Sequence, residues 1–219
     1  VLMNTRLTVT ALAILLAGGF TAAALTYRGA ETDQANAAAP QPAVDTKRLV
    51  RPYSPIIGPR NARVTIVEFF DPSCEACRAF HPIVKDIMSR NPKNVRLVLR
   101  YAPLHLGSEE AVRIMEAART QGVYEPVMTA LLDSQPQWHD GEMTSAWAAA
   151  KAAGLDEAKA RASLASPKVT AMIEQDVADG MALKIPGTPT FYVNGRPLAD
   201  FGPQQLEALV SAEVHAVRR

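Results

Sequence analysis

The chain has 219 residues, of which 48% are hydrophobic, and its formal net charge at pH 7 is +1. This length accommodates one ordinary domain with additional segments, and the apolar fraction is sufficient for a buried core. Acidic and basic residues are interspersed without a basic stripe or an acidic tail, so we expect no nucleic-acid partner.

The N-terminal residues 1–28 contain an uncharged, mostly apolar run of 21 residues between Arg6 and Arg28. A helix of about 20 apolar residues spans a bilayer, whereas a secretory signal peptide has a shorter apolar core of about 7–15 residues. We therefore favour an uncleaved signal-anchor helix that attaches the chain to a membrane. Cleavage after Ala24 or Ala37 is the alternative, and both interpretations export the residues that follow.

Two segments without a strong pattern come next. Residues 29–50 are rich in Ala, Pro and small polar residues, which predicts a flexible linker. Residues 47–60 are interrupted by Pro52, Pro55 and Pro59, which predicts an extended lead-in rather than a helix.

Residues 51–104 begin the main domain. The β-branched and aromatic run 63–70 predicts a buried strand, and residues 74–90 carry apolar side chains at helical spacing. A second strand is predicted over residues 95–101. Two strands joined by a helix indicate a parallel pair with a right-handed crossover.

Residues 105–182 read as a helical stretch divided by Gly and Pro. The predicted helices cover residues 108–121, with Ser108 as N-cap, 124–132, 143–153, 155–164 and 168–181. We interpret this stretch as an inserted helical domain that forms a lid.

Residues 183–219 return to the main domain. A strand is predicted over residues 189–193, a hairpin turn at Asn194-Gly195, a short strand over 196–199 and a closing helix over 203–217.

The only two cysteines, Cys74 and Cys77, lie at a strand-to-helix junction with two residues between them. A helix N-terminus offers free backbone N–H groups and a partial positive charge, which stabilise the reactive thiolate. We expect Cys74, at the exposed end, to attack a partner disulfide, and Cys77, one turn deeper, to resolve the mixed disulfide. A metal half-site and an inert pair are the alternatives.

A second motif, the segment 185–191, contains Pro-Gly-Thr-Pro and resembles the cis-proline loop that faces the C-x-x-C motif in the thioredoxin-like superfamily. The resemblance implies that the Thr188–Pro189 bond is cis and that this loop belongs to the active site. Pro189 has no N–H, so the backbone of Thr188 is expected to pair with a substrate strand.

The segments 54–59 and 69–74 are similar to those of DsbA-like members of the superfamily, which carry a helical insertion in the thioredoxin fold. The chain is accordingly identified as an α/β protein with a thioredoxin fold (β-α-β … β-β-α). Residues 51–104 and 183–219 are expected to form this fold, with residues 105–182 inserted.

Three further ionisable residues are candidates for the site. Glu68 lies in an apolar strand, and DsbA-like members carry a glutamate at this offset, which implies proton transfer to and from Cys77; a solvated edge glutamate is the alternative. His81 could complete a soft-metal face with the two thiolates, although a surface histidine is favoured. His105 follows the second strand, near the rim of the expected cleft.

Together these patterns predict an enzyme, a protein thiol–disulfide oxidoreductase that acts on cysteines of exported proteins. It is expected on the periplasmic side of the inner membrane, or in the periplasm after signal cleavage. Its redox group is the Cys74–Cys77 disulfide, so neither an organic cofactor nor a metal is expected. A membrane redox partner is expected to restore this disulfide after each reaction.

Two alternatives to an oxidase stay open. The cysteine pair could bind copper or another soft metal, and the enzyme could be an isomerase or a reductant. The acid Glu75 beside the nucleophile disfavours the Cys74 thiolate, which predicts a weaker oxidant than relatives with Pro-His between the cysteines.

Overall fold

The computed structural model describes residue 44 and residues 46–217. Its centre is a mixed five-stranded sheet with the strand order β1-β3-β2-β4-β5. The strands are β1 (Ile56–Ile57), β2 (Val64–Phe70), β3 (Val95–Tyr101), β4 (Thr190–Val193) and β5 (Arg196–Pro197). β2 and β3 are parallel, and the other neighbours are antiparallel. This is the predicted thioredoxin fold.

The helix α2 (Glu75–Arg90) joins β2 to β3 and begins directly after Cys74. Its buried residues recur every three or four positions, so one face of the helix packs on the sheet: Cys77, Phe80, Val84 and Ile87. The Phe80 ring lies 5.3 Å from the Phe191 ring of β4, measured between centroids. The first turn of α2, with both cysteines, is thereby fixed against the central strands.

The segment between β3 and β4 is helical, as the sequence predicts. It contains α3 (Ser108–Thr120), α4 (Tyr124–Ser134), the 3₁₀ helix Gln135–Gln137, α5 (Thr144–Ala152), α6 (Glu157–Ser163) and α7 (Pro167–Ala182). The closing helix is α8 (Pro203–Ala216). One apolar cluster contains Ile66 and Leu99 of the sheet together with Val127 and Trp138 of the helical segment. The segment therefore shares the core of the sheet, and its status as a separate domain stays a prediction.

The lead-in to the sheet differs from the sequence prediction. Residues Thr46–Leu49 form a short helix, α1, where an extended and flexible segment is predicted. The physical reason is that Leu49 is 1% exposed and packs with Val67 and Val98 on the second face of the sheet. The predicted N-cap of α3 is also wrong, because Gly107 occupies that position and Ser108 begins the helix.

The predicted signal-anchor over residues 1–28 and most of the predicted linker lie outside the described residues. Within residues 46–217, no helix is long and apolar enough to cross a membrane.

A buried ionic cluster lies on the second face of the sheet, formed by Arg51, Tyr53, Arg100, Asp176 and Asp179. The Arg100 side chain is fully buried and lies 2.7 Å from Asp176 and 2.6 Å from Asp179, both on α7. Arg51 binds Asp179 at 2.6 Å, and the Tyr53 hydroxyl donates to Asp176 at 2.8 Å. Two arginines balance two aspartates, so the cluster joins the lead-in, β3 and α7 without net charge.

Candidate active site

Cys74 is the N-cap of α2, and Cys77 lies in its first turn. Cys74 is 8% exposed and Cys77 is fully buried. The expectation of an exposed Cys74 is therefore wrong in degree, because the loop before β4 covers it. The Cys74 thiol donates a hydrogen bond to the backbone carbonyl of Thr188 at 3.2 Å.

The pKa values of the two thiols are shifted in opposite directions. A hydrogen bond from the Cys77 thiol lowers the pKa of Cys74 to about 5, against burial, with help from Thr188 and the backbone N–H groups of Ala76 and Cys77. Burial raises the pKa of Cys77 far above its ordinary value, and the same hydrogen bond and the charge of Glu68 raise it further. Cys74 is thus equipped to be a thiolate at neutral pH, and Cys77 to keep its proton.

The loop that covers Cys74 contains a cis Thr188–Pro189 bond, as the resemblance implies. The Thr188 hydroxyl is a buried side-chain oxygen without a hydrogen-bond partner among the described residues. A Cys74 thiolate cannot donate to the Thr188 carbonyl, but it can accept from this hydroxyl, which contributes to the lowered pKa of Cys74. The loop therefore offers a partner to either protonation state of the nucleophile.

Glu68 lies on β2 and is only 4% exposed, so it is not a solvated edge residue. Burial and, to a smaller extent, the negative charge of Cys74 together raise the pKa of its carboxyl from 4.5 to about 8. The charge of Glu68 in turn raises the pKa of Cys77, the deeper thiol. A carboxyl that keeps its proton at neutral pH can deliver it to a departing thiolate.

A stability comparison tests this protonation state of Glu68. The folded protein keeps a proton on Glu68 that the unfolded chain releases above the ordinary pKa of 4.5, so this group lowers the free energy of unfolding as pH rises toward 8. Between about pH 5 and about pH 7.5, we expect the free energy of unfolding of Glu68→Gln to rise by about 3 kcal/mol relative to that of the wild type. Urea denaturation of the reduced proteins measures it.

The wild type alone cannot isolate this effect, because the lowered pKa of Cys74 changes stability with the opposite sign over the same range. The matched control is Glu75→Gln, which removes an exposed carboxylate from the same active-site region. Equal pH profiles for the wild type and Glu68→Gln would contradict a protonated Glu68.

Asp71, which directly follows β2, is not among the site residues predicted from the sequence. Its fully buried carboxylate accepts hydrogen bonds from the backbone N–H groups of Ser73, Leu104 and His105, from the Ser108 hydroxyl and from the His105 ring. The Asp71 N–H also points at Cys77 Sγ, 3.5 Å away. An acid between a buried strand and the nucleophile is the signal that could have found it.

His81 does not join the cysteines in a metal face. Its Nε2 is paired with the Thr129 hydroxyl at 3.2 Å, and burial lowers the pKa of the ring. Across residues 46–217, no group of three or more His, Cys, Asp and Glu side chains is arranged to hold a metal ion.

Comparison with known proteins identifies relatives of this chain in sequence and in structure. A family model described as Thioredoxin matches residues 51–212. The crystal structure of a thioredoxin-like oxidoreductase from Silicibacter pomeroyi DSS-3 is 32% identical, with a TM-score of 0.70 over 80% of this chain and 98% of that one. Oxidised BdbD from Bacillus subtilis is 21% identical, with a TM-score of 0.67 over 79% of this chain and 96% of that one, and supports the fold.

The curated relatives include proteins of two kinds. The thiol:disulfide interchange protein DsbA of Bordetella parapertussis is 27% identical over 139 residues, which are 61% of this chain and 65% of that protein. The Na(+)/H(+) antiporter NhaA 3 of Salinispora tropica is 34% identical over 162 residues, which are 73% of this chain and 24% of that protein. The chain thus spans about a quarter of the length of the antiporter.

Proposed function

Because this chain belongs to the thioredoxin family, among its DsbA-like thiol–disulfide oxidoreductases, we propose that it exchanges disulfides with cysteines of exported proteins through Cys74 and Cys77. The observation that carries the proposal is the pairing of a Cys74 thiol of lowered pKa with the Thr188 loop that covers it. The reaction needs no further redox group, since the cysteine pair itself takes up and returns two electrons.

In the oxidising direction, a substrate thiolate attacks Cys74 Sγ of the Cys74–Cys77 disulfide. The Cys74–Cys77 bond breaks, a mixed disulfide forms, and Cys77 leaves as a thiolate that takes a proton from the Glu68 carboxyl. A second substrate thiolate then attacks the substrate sulfur of the mixed disulfide and expels Cys74 as a thiolate. The substrate loses two electrons and the cysteine pair gains them.

Each of these residues has a property that suits its step. The lowered pKa of Cys74 makes it a good leaving group, and the raised pKa of Glu68, about 8, provides the proton for Cys77. The backbone of Thr188 is placed to pair with an extended substrate segment, and Pro189 offers no competing N–H.

We favour the oxidase over an isomerase or a reductant. A stabilised Cys74 thiolate stabilises the reduced form of the enzyme, and a stable reduced form makes a strong oxidant. On this proposal, the buried contacts of Cys74 outweigh the unfavourable charge of Glu75, which is exposed and screened. The substrates are exported proteins, and a membrane redox partner on the same side of the membrane restores the disulfide.

The test is the redox state of the cysteine pair in cells and its activity on a reduced protein. We expect alkylation trapping to find Cys74 and Cys77 oxidised at steady state, and the purified oxidised protein to form disulfides in a reduced, unfolded test protein. A pair found reduced would indicate a reductant or an isomerase. Stoichiometric Cu(I) binding without exchange would support the metal-binding alternative.

A further inference from the structure

The loop between β3 and α3 carries a histidine that the mechanism above does not use. His105 Nδ1 lies 2.6 Å from an Asp71 carboxylate oxygen, and the backbone N–H of His105 binds the same oxygen at 3.2 Å. The Asp71 side chain is fully buried, whereas the His105 side chain is 49% exposed. Two contacts to one buried acid fix the ring, with Nδ1 as the donor and Nε2 free to take a proton from water.

The acid that holds His105 is also part of the cysteine site. The Cys74 N–H donates to the Asp71 carbonyl at 3.1 Å, and the Asp71 N–H lies 3.5 Å from Cys77 Sγ. One residue thus connects the loop of His105 with both cysteines. We propose that the protonated His105, held by Asp71, stabilises the Cys74 thiolate and makes the redox equilibrium of the pair depend on pH near neutrality.

The charges around the ring support this assignment. The hydrogen bond to Asp71 raises the pKa of His105, against burial, and the negative charges of Asp71 and Cys74 raise it further. The interaction is mutual, so an imidazolium that gains from the thiolate stabilises it equally. Loss of the His105 proton also leaves the buried Asp71 charge beside Cys74 without compensation.

Other ionisable groups lie on the elements that pack against this loop. Glu109 is paired with Arg113 at 2.7 Å, and Glu110 accepts from the Trp147 ring at 2.6 Å, so both are engaged away from the loop. The segment around Gly141 packs against Leu106 and Gly107. Four further ionisable residues on the neighbouring segments are exposed: Glu75, His139, Asp140 and Glu142. Glu116 of α3 and Glu68 of β2 are buried, and Glu116 is paired with Arg119.

The inference rests on the proposed function. It also bears on the dipeptide between the cysteines, which differs from the Pro-His of strongly oxidising relatives. The dipeptide Glu75-Ala76 between the cysteines brings no positive charge to the nucleophile. His105 supplies one from a neighbouring loop, 31 positions along the chain from Cys74. Below the pKa of His105 the thiolate is favoured, and as pH rises through that pKa this stabilisation is lost.

The first experiment measures the ionisation of Cys74 by its rate of alkylation across pH in the reduced protein. We expect His105→Gln to reduce the ionisation constant of Cys74 about three- to tenfold, and His105→Lys to retain it. The matched control is His215→Gln, which removes an exposed histidine in the last turn of α8 and is expected to change nothing.

The second experiment uses the unaltered protein. Nuclear magnetic resonance titration of His105 is expected to give a higher pKa in the reduced protein, where Cys74 is a thiolate, than in the oxidised one. Equal His105 titrations in both states, or an unchanged Cys74 in His105→Gln, would overturn the proposal. Equal losses in His105→Gln and His105→Lys would assign the histidine to packing. Neither measurement needs a substrate protein, so failure of the proposed function would be recognised separately.

Discussion

Cys77→Ser is expected to accumulate covalent complexes with partner proteins, and Cys74→Ser to accumulate none. In Cys77→Ser the nucleophile keeps its position at the start of α2 and under the Thr188 carbonyl, but no second thiol can resolve the mixed disulfide. In Cys74→Ser the remaining thiol is fully buried and its pKa is raised, so exchange is expected to fall to the uncatalysed background.

Non-reducing electrophoresis of trapped cell extracts, followed by mass spectrometry of the cross-linked peptide, measures this outcome. Every complex of Cys77→Ser is expected to join a partner through Cys74 and to disappear on reduction. The double variant Cys74→Ser, Cys77→Ser controls for non-covalent association. Complexes from Cys74→Ser but not from Cys77→Ser would reverse the roles of the two cysteines.

Arg100→Met is expected to reduce the free energy of unfolding by about 3–5 kcal/mol, because it leaves the buried Asp176 carboxylate without its cation, while Asp179 keeps Arg51. Arg100, Asp176 and Asp179 have almost no solvent exposure, and in the described part of the chain their charges are matched within the cluster, which includes Arg51. Urea denaturation at neutral pH measures the loss. The matched control is Arg90→Met, which removes an exposed pair with Glu207 and should cost at most about 1 kcal/mol.

A further variant distinguishes charge from packing in this cluster. Because the two residues act as a unit, the double variant Arg100→Met, Asp176→Asn is expected to lose less than the sum of its single variants. Additive losses, or equal losses for Arg100→Met and Arg90→Met, would contradict the assignment of the cluster as a stabilising contact between β3 and α7.

Local patterns of apolar residues in the sequence were sufficient to predict most strands and helices of the fold. The strands β2 and β3 coincide with predicted runs that are mostly β-branched, aromatic or otherwise apolar, and α2 shows the buried spacing that its sequence predicts. The spacing of apolar residues indicates which face of a helix or strand is buried. It is a property of one segment and does not depend on distant parts of the chain. The short helix α1 was not predicted, because its stability comes from one leucine that packs on strands distant in the sequence.

The active site was predicted unevenly for the same reason. Cys74, Cys77 and Pro189 belong to motifs that can be read along the chain, and Glu68 is marked by its apolar neighbours. The bond between His105 and Asp71 joins residues 34 positions apart, and the one between Arg100 and Asp176 joins residues 76 apart. No composition or spacing rule connects such pairs, so the sequence pattern does not predict these hydrogen bonds.

The helical segment between β3 and β4 has a consequence for the order in which the chain folds. A chain made from its N-terminus completes β2, α2 and β3 well before β4, and contacts between distant residues form late. Thr188 is 114 residues from Cys74, so the carbonyl and hydroxyl that serve the nucleophile arrive with the last strands. Until β4 joins β2, the nascent chain carries Cys74 without the Thr188 loop that covers it, and other oxidoreductases would treat its accessible thiol as a substrate.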